Sequence, residues 1–241
     1  MHKKTAIISG GTGGIGKGSV LQLLKDGFNI ATFSTNKKHC DSLRKELGQQ
    51  YDPKRFLVMP ADVANENSLN LFIKEAIKKF KKIDVLINNA GVGYFSDCDK
   101  VDMTKFQKMI SINIVGLALL TKLAVPFMKK NKSGLIINVA SISGKRAFTN
   151  GEFYSATKFA VMGYSEGIRS ELSAHKIKVA TICPGMIKTN FFTEEELEKR
   201  KKVWKKDQIQ MLEVEDIKKI ISLICNQSEH CDVQDITIMP F

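Results

Sequence analysis

The stretch Thr5-Ala6-Ile7-Ile8-Ser9-Gly10-Gly11-Thr12-Gly13-Gly14-Ile15-Gly16 decides the fold. A short apolar run ends in glycines, and apolar residues at helical spacing (Val20, Leu21, Leu24) begin soon after. A strand that opens through such a loop into a helix is the start of a βαβ unit. Glycines permit the tight turn and a close backbone approach, while the free amides of the helix N-terminus attract a pyrophosphate. The run fits Gly-x-Gly-x-x-Gly at Gly11, Gly13 and Gly16, and also Gly-x-x-x-Gly-x-Gly at Gly10, Gly14 and Gly16. Nucleotide binding by the loop, Thr12 and Ile15 included, is the expectation. A plain glycine-rich turn is the alternative.

Working outward, apolar β-branched runs recur at Asn29–Ser34, Phe56–Met59, Val85–Asn88, Leu135–Val139, Val179–Cys183 and Ile236–Met239. Segments of helical period lie between them, among them Leu69, Phe72, Ile73, Ala76, Ile77 and Phe159, Met162, Ile168, Leu172. Alternation of this kind predicts an α/β fold, a Rossmann-type, doubly wound, seven-stranded and mostly parallel sheet with helices on both faces. The 241 residues suit a single domain over 1–241. One segment, 191–212, breaks the rhythm: Glu194, Glu195, Glu196 and Glu198 precede Arg200, Lys201, Lys202, Trp204, Lys205 and Lys206. Its acid-first, base-last order suits a helix dipole, either as a solvated surface helix or as a lid over substrate.

Composition removes several function classes. The N-terminus is too short and too soon interrupted by glycine for a signal sequence, and Ile110–Met128 contains Lys122 and Pro126. The expectation is a soluble, cytoplasmic protein with no membrane contact. Five scattered cysteines show no Cys-x-x-Cys, and Cys225 and Cys231 flank His230 without a fourth ligand, so no metal is expected. The net charge of +12 is spread among acidic residues without aromatic interleaving, which argues against nucleic acid. Solubility accounts for it, as would an anionic cofactor or an acidic partner.

The second strand ends in Ser34-Thr35-Asn36-Lys37-Lys38, where an NAD site usually places a carboxylate; none occurs until Asp41. Hydroxyls, an amide and ammonium groups would accept a 2′-phosphate, so NADP(H) is favoured and NAD(H) remains open. Alternatively these residues cap a helix. Farther on, Tyr154 and Lys158 are four apart in Tyr-Ser-Ala-Thr-Lys, and Ser141 lies thirteen residues upstream. On a helix that spacing stacks ammonium beside phenol, which favours phenolate and lets the tyrosine act as acid or base. A hydroxyl at Ser141 could hydrogen-bond the same substrate oxygen. By itself the tyrosine pair could equally be an exposed helix face.

Taken in order, these motifs resemble the classical short-chain dehydrogenase/reductase family over essentially the whole chain, including 3-oxoacyl-carrier-protein reductases and small-carbonyl reductases. The resemblance assigns Gly10, Gly14 and Gly16 to the glycine pattern, Asp62-Val63 to the adenine, and Asn89-Ala90-Gly91, after Asn88, to the adenosine side. It sets Pro184-Gly185 with Ile187 and Thr189 against the nicotinamide, and Asn113 as a helix-bending, water-holding asparagine. Ser141, Tyr154 and Lys158 match the catalytic triplet, with Lys158 also holding the nicotinamide ribose. Gly13, where many NADP-dependent members carry a basic residue, departs from the pattern, as does the missing arginine after the second strand.

What the resemblance implies is hydride transfer between a nicotinamide and a carbonyl or alcohol, Tyr154 handling the proton. The substrate wall is expected from Tyr94-Phe95, Ala147-Phe148, Met186 and 191–212, for a carbonyl with an apolar body. Candidate partners are a small carbonyl or hydroxy acid, or a 3-oxoacyl thioester on an acidic carrier protein. A homo-oligomer, dimer or tetramer, is implied through Leu117–Met128 and Ala156–Leu172, whose apolar residues could equally face the chain's own sheet. An NAD-using small-ketone or hydroxy-acid dehydrogenase is one alternative. A non-catalytic, NADP-binding regulatory protein is another.

Overall fold

The computed structural model describes residues 3–204 and 210–241, without the side chains of Arg200, Val203 and Trp204. Lys205 and Lys206 of the basic run therefore lie outside the described residues, as do the side chains of Arg200 and Trp204. Seven strands, β1 (Thr5–Ser9), β2 (Asn29–Ser34), β3 (Phe56–Pro60), β4 (Val85–Asn88), β5 (Gly134–Val139), β6 (Ile177–Pro184) and β7 (Asp235–Ile238), form one sheet in the order β3-β2-β1-β4-β5-β6-β7. Every neighbouring pair is parallel. The fold is thus the doubly wound α/β arrangement.

Strand alternation sends successive side chains to opposite faces. Ala6, Ile8, Ile30, Val85, Ile87 and Ile137 pack into one core with α1 (Gly14–Lys25), α2 (Lys37–Gly48) and α8 (Val214–Cys225). Ile7, Ala31, Phe33, Leu86 and Ile136 pack into the other, against α3 (Glu66–Phe80), α5 (Leu117–Asn131) and α6 (Glu152–Ser173). Both faces being covered explains why the strands read as near-continuous apolar runs.

Chain order reverses between β1 and β4, and the loops leaving their carboxyl ends diverge there. Ligands of doubly wound sheets bind at that crevice. Glycine conformation makes the turn after β1 possible: Gly10 has φ +69° and Gly14 φ +48°.

One helix is broken in its hydrogen-bond ladder. Between α4 (Met103–Ile110) and α5, residues Ser111–Gly116 form a π turn, with Asn113 buried at its centre. The continuous helix Met103–Asn131 is long and apolar enough to cross a membrane by length and composition, which the reading of Ile110–Met128 had not anticipated. Its face carrying Leu120, Ala124 and Met128 is built into the core, and Lys122 points outward.

Segment 191–212 contains the helix α7 (Glu194–Trp204). Thr193 Oγ1 accepts from the Glu196 amide, and the Glu196 carboxylate accepts from the Thr193 amide, a reciprocal cap. At its base Ile187 bridges Leu212, through Lys188 N to Leu212 O and Leu212 N to Met186 O, both 2.8 Å.

Candidate active site

A cavity of about 1020 Å³ follows the carboxyl ends of the strands from the glycine loop to Tyr154. Of the residues expected at a cofactor, Gly10, Gly13, Gly14, Ile15, Ser34, Thr35, Asp62, Val63, Asn89, Ala90 and Gly91 line it. Pro184, Gly185, Ile187 and Thr189 line it as well. Helices α2, α3 and α4 are capped by the side chains of Asn36, Asn65 and Asp102, whereas α1 starts at Gly13 with no side-chain cap and no acidic residue in its first turn. Its first amides thus remain available to an anion. A Cβ on Gly13 would meet open space, while one on Gly16 would collide with the Gly10 carbonyl and Asn89 Nδ2. The residues fit a dinucleotide.

The two loops at the crevice are stitched together. Asn89 Nδ2 donates to the Ser9 carbonyl at 2.9 Å, and Ser9 Oγ accepts from the amides of Asn89 and Ala90, each at 2.9 Å. Asp62 accepts from the Ala64 amide at 2.9 Å, so its carboxylate shapes the turn after β3 while facing the cavity.

Four expected cofactor residues do not line the cavity: Thr12, Gly16, Asn36 and Lys37. Gly16 acts by allowing close packing. The Asn36 side chain accepts from the His39 amide at 3.2 Å and caps α2, leaving Ser34 and Thr35 as the lining residues at the end of β2. Lys37 is exposed in the first turn of α2.

At the other end α6 presents Tyr154 and Lys158 one turn apart, and Ser141 opens the short turn Ile142–Gly144 after β5. All three line the cavity. The turn is pressed onto α6: a Cβ on Gly144 would lie 2.7 Å from the Lys158 carbonyl oxygen. Ser141 Oγ accepts from the Ser143 amide at 3.1 Å, which orients the hydroxyl. Lys158 Nζ donates to the Val139 carbonyl at 2.9 Å and stands 5.7 Å from the Tyr154 ring centre. Burial lowers its pKa to about 8, opposed by Cys183. Burial also raises the Cys183 thiol, which is therefore neutral at neutral pH, so desolvation is the cause that counts.

Asn113 is tied into this group by its side chain. Its Oδ1 accepts from Val92 N at 2.9 Å, and its Nδ2 donates to Val92 O at 2.9 Å and to Thr157 Oγ1 at 3.0 Å. Thr157 Oγ1 in turn donates to the Tyr154 carbonyl at 2.8 Å. The π turn, the loop after β4 and the turn of α6 that carries Tyr154 and Lys158 are thereby one unit. Both amide hydrogens are committed, so a water could meet this side chain only at Oδ1.

Sequence reading missed Arg146, Asn190, Met239 and Pro240, all on the cavity wall. The last two follow β7, which pairs with β6, so the strand-end rule could have found them once strand order was known. No local signal marks Arg146. Tyr94 and Phe95, both expected on the wall, are not among the lining residues: Tyr94 carries Lys105 Nζ 5.7 Å from its ring centre, and Phe95 packs against the rings of Phe148, Phe191 and Phe192, which do line it.

A doubly wound sheet with a glycine cradle at its switch point and a Ser/Tyr/Lys group in the same cavity defines a nicotinamide-dependent oxidoreductase of CH-OH and C=O groups. The comparisons place it within that class: residues 4–200 match the short chain dehydrogenase family, and the chain belongs to it. An uncharacterized oxidoreductase of Staphylococcus aureus strain USA300 is 31% identical over 237 residues, 98% of this chain and 97% of that protein. ElxO, solved with NADP bound, superposes with a TM-score of 0.86 at 29% identity, covering 98% of this chain and 97% of its own. A 3-ketoacyl-(acyl-carrier-protein) reductase from Brucella melitensis, complexed with NADH, has a TM-score of 0.86. Its identity is 24%, with 98% of this chain and 96% of that chain covered, and it shows likeness of fold alone.

Proposed function

We propose that this protein interconverts a carbonyl and an alcohol with NADP(H), Tyr154 acting as general acid in reduction and general base in oxidation. The carrying observation is that Tyr154, Lys158 and Ser141 open onto the same cavity as the glycine loop. Bound nicotinamide supplies or accepts the hydride. Tyr154 gives its phenolic proton to the carbonyl oxygen, Ser141 Oγ donates to that oxygen, and Lys158 as ammonium favours the phenolate left behind. Asn113 holds α6 in register through Thr157 and, with its remaining lone pair, holds a water of the proton path. Segment 191–212 works as a lid, supported by its anchored base at Ile187 and Leu212 and by Phe191, Phe192 and Gln210 on the cavity wall.

The NADP preference rests on Ser34 and Thr35 lining the cavity, with no carboxylate at the end of β2 and Lys37 and Lys38 beside it. The oligomer implied by the sequence is supported by Phe159, 46% exposed on α6 within Ala156–Leu172. A monomer by light scattering would remove that part. A carrier-protein thioester stays in the substrate panel on the strength of the positive charge.

The test follows NADPH oxidation with ketones and 3-oxoacyl thioesters, beside Tyr154→Phe. The variant is expected to lose about 10²- to 10⁴-fold in kcat while still binding NADPH. Tight cofactor binding without turnover in the parent would point to a regulatory protein instead, and a fully active variant would remove Tyr154 from the chemistry.

A further inference from the structure

The oxidoreductase reading accounts for one end of the cavity, while the wall beyond Tyr154 is aromatic. Phe148, Phe191 and Phe192 line it, and Phe95 packs against all of them. The Phe95 ring centre lies 5.5 Å from that of Tyr154 and 5.1 Å from that of Phe192; Phe191 lies 5.8 Å from Tyr154. These rings come from segments distant in sequence, so no local apolar run explains them. Two glycines make room for them: a Cβ on Gly93 would lie 2.7 Å from Phe191 Cζ and 2.8 Å from Phe95 Cζ, and one on Gly151 would collide with the Phe148 ring. Substituting either would displace the wall.

The charge at this end is one-sided. Arg146, two residues before Phe148, lines the cavity, and its guanidinium has no hydrogen-bond or ion-pair partner among the described residues. The acidic residue lining the cavity is Asp62, which belongs to the turn after β3. Aromatic walls favour a ring that packs offset or edge-on, and an unpaired guanidinium offers a planar fork matched to a carboxylate.

Resting on the oxidoreductase reading, we propose that the substrate is an aryl ketone or aldehyde, or the corresponding alcohol, bearing a carboxylate. Its ring packs against Phe148, Phe191 and Phe192, its carboxylate meets Arg146, and its carbonyl reaches Ser141 and Tyr154. In reduction the nicotinamide hydride forms the new C–H bond, the C=O π pair moves to oxygen, and the Tyr154 proton completes the alcohol as the cofactor is oxidised.

The experiment compares 4-acetylbenzoate, acetophenone, 4-oxopentanoate and 2-butanone with NADPH, in the parent, Arg146→Gln, Phe191→Leu and Phe148→Leu. The parent is expected to have its highest kcat/KM on 4-acetylbenzoate. Arg146→Gln should lower the 4-acetylbenzoate to acetophenone ratio of kcat/KM about 10- to 100-fold, chiefly through KM. The phenylalanine variants should lower the aryl to aliphatic ratio. Unchanged ratios would overturn the proposal while leaving the oxidoreductase reading intact. Should no ketone turn over, calorimetry of benzoate binding to the NADP+-loaded protein separates the two: Arg146-dependent binding keeps the ligand assignment and sinks the oxidoreductase reading, and binding that Arg146→Gln leaves unchanged, or none, sinks the assignment.

Discussion

At the scale of the residue, Lys158 shows how one side chain couples stability to function. Buried against the Val139 carbonyl, it has a pKa lowered to about 8, so between about 8 and the ordinary lysine value the folded protein binds fewer protons than the unfolded chain. Stability therefore rises with pH across that window, and the full cost of burying the ammonium is present below it. Lys158→Met should melt at a higher temperature than the parent at pH 7, with the difference shrinking toward pH 10; scanning calorimetry at both pH values checks this. Under the proposed mechanism activity moves the other way, because the ammonium form is the one that favours the phenolate. In the parent, kcat/KM for NADPH should fall as pH rises through about 8, and a flat profile from 7 to 9 would exclude Lys158 as the titrating group. The tyrosine and lysine were legible as a pair from their spacing. That the lysine is buried under β5 was not, since spacing places side chains on a helix face without saying what covers it.

Among the elements, β1, β2 and β4 coincide with the runs read from sequence, because buried parallel strands are uninterrupted apolar stretches. β6 begins two residues before the apolar run Val179–Cys183, at Ile177. Lys178 hides that start: it pairs with Leu135 in the sheet while its Nζ reaches out to the carbonyls of Ser228 and Cys231. β7, an edge strand with alternating exposure, carries too weak an apolar signal for its ends to be read, and its register comes from pairing with Thr181–Pro184. The π turn is joined to α6 through Thr157, which predicts an effect at a residue with no chemistry of its own. Thr157→Val keeps shape and burial but leaves an Asn113 amide hydrogen unpaired, at a cost of about 1–3 kcal/mol. With the register of Tyr154 loosened, kcat should drop about tenfold while KM for NADPH stays near the parent value. Melting curves and steady-state kinetics read the two effects, and a variant equal to the parent in both would show that the linkage does not position Tyr154.

For the whole molecule, a ligand that binds only the folded state stabilises it by mass action, about 2.7 kcal/mol at a hundredfold excess over Kd. For a chain of this size that is a rise in Tm of about 5–10 °C, expected for NADPH and smaller for NADH at equal concentration. Equal shifts would overturn the NADP preference at Ser34 and Thr35. The sequence by itself determined the alternation of strand and helix, the glycine cradle after β1, the missing carboxylate after β2 and the spacing of Tyr154 and Lys158, because each is local: periodicity, a run of glycines, residues one helical turn apart. Only the tertiary structure decided which cofactor candidates face the cavity, that Asn36 caps a helix instead, how the rings of Phe95, Phe148, Phe191 and Phe192, expected at the substrate wall from the family resemblance, pack beside Tyr154, and that Arg146 joins that wall. Those positions lie on separate loops, and strand order together with the packing of α6 and the turn after β5 is what brings loops to a common place; no period or spacing along the chain encodes it.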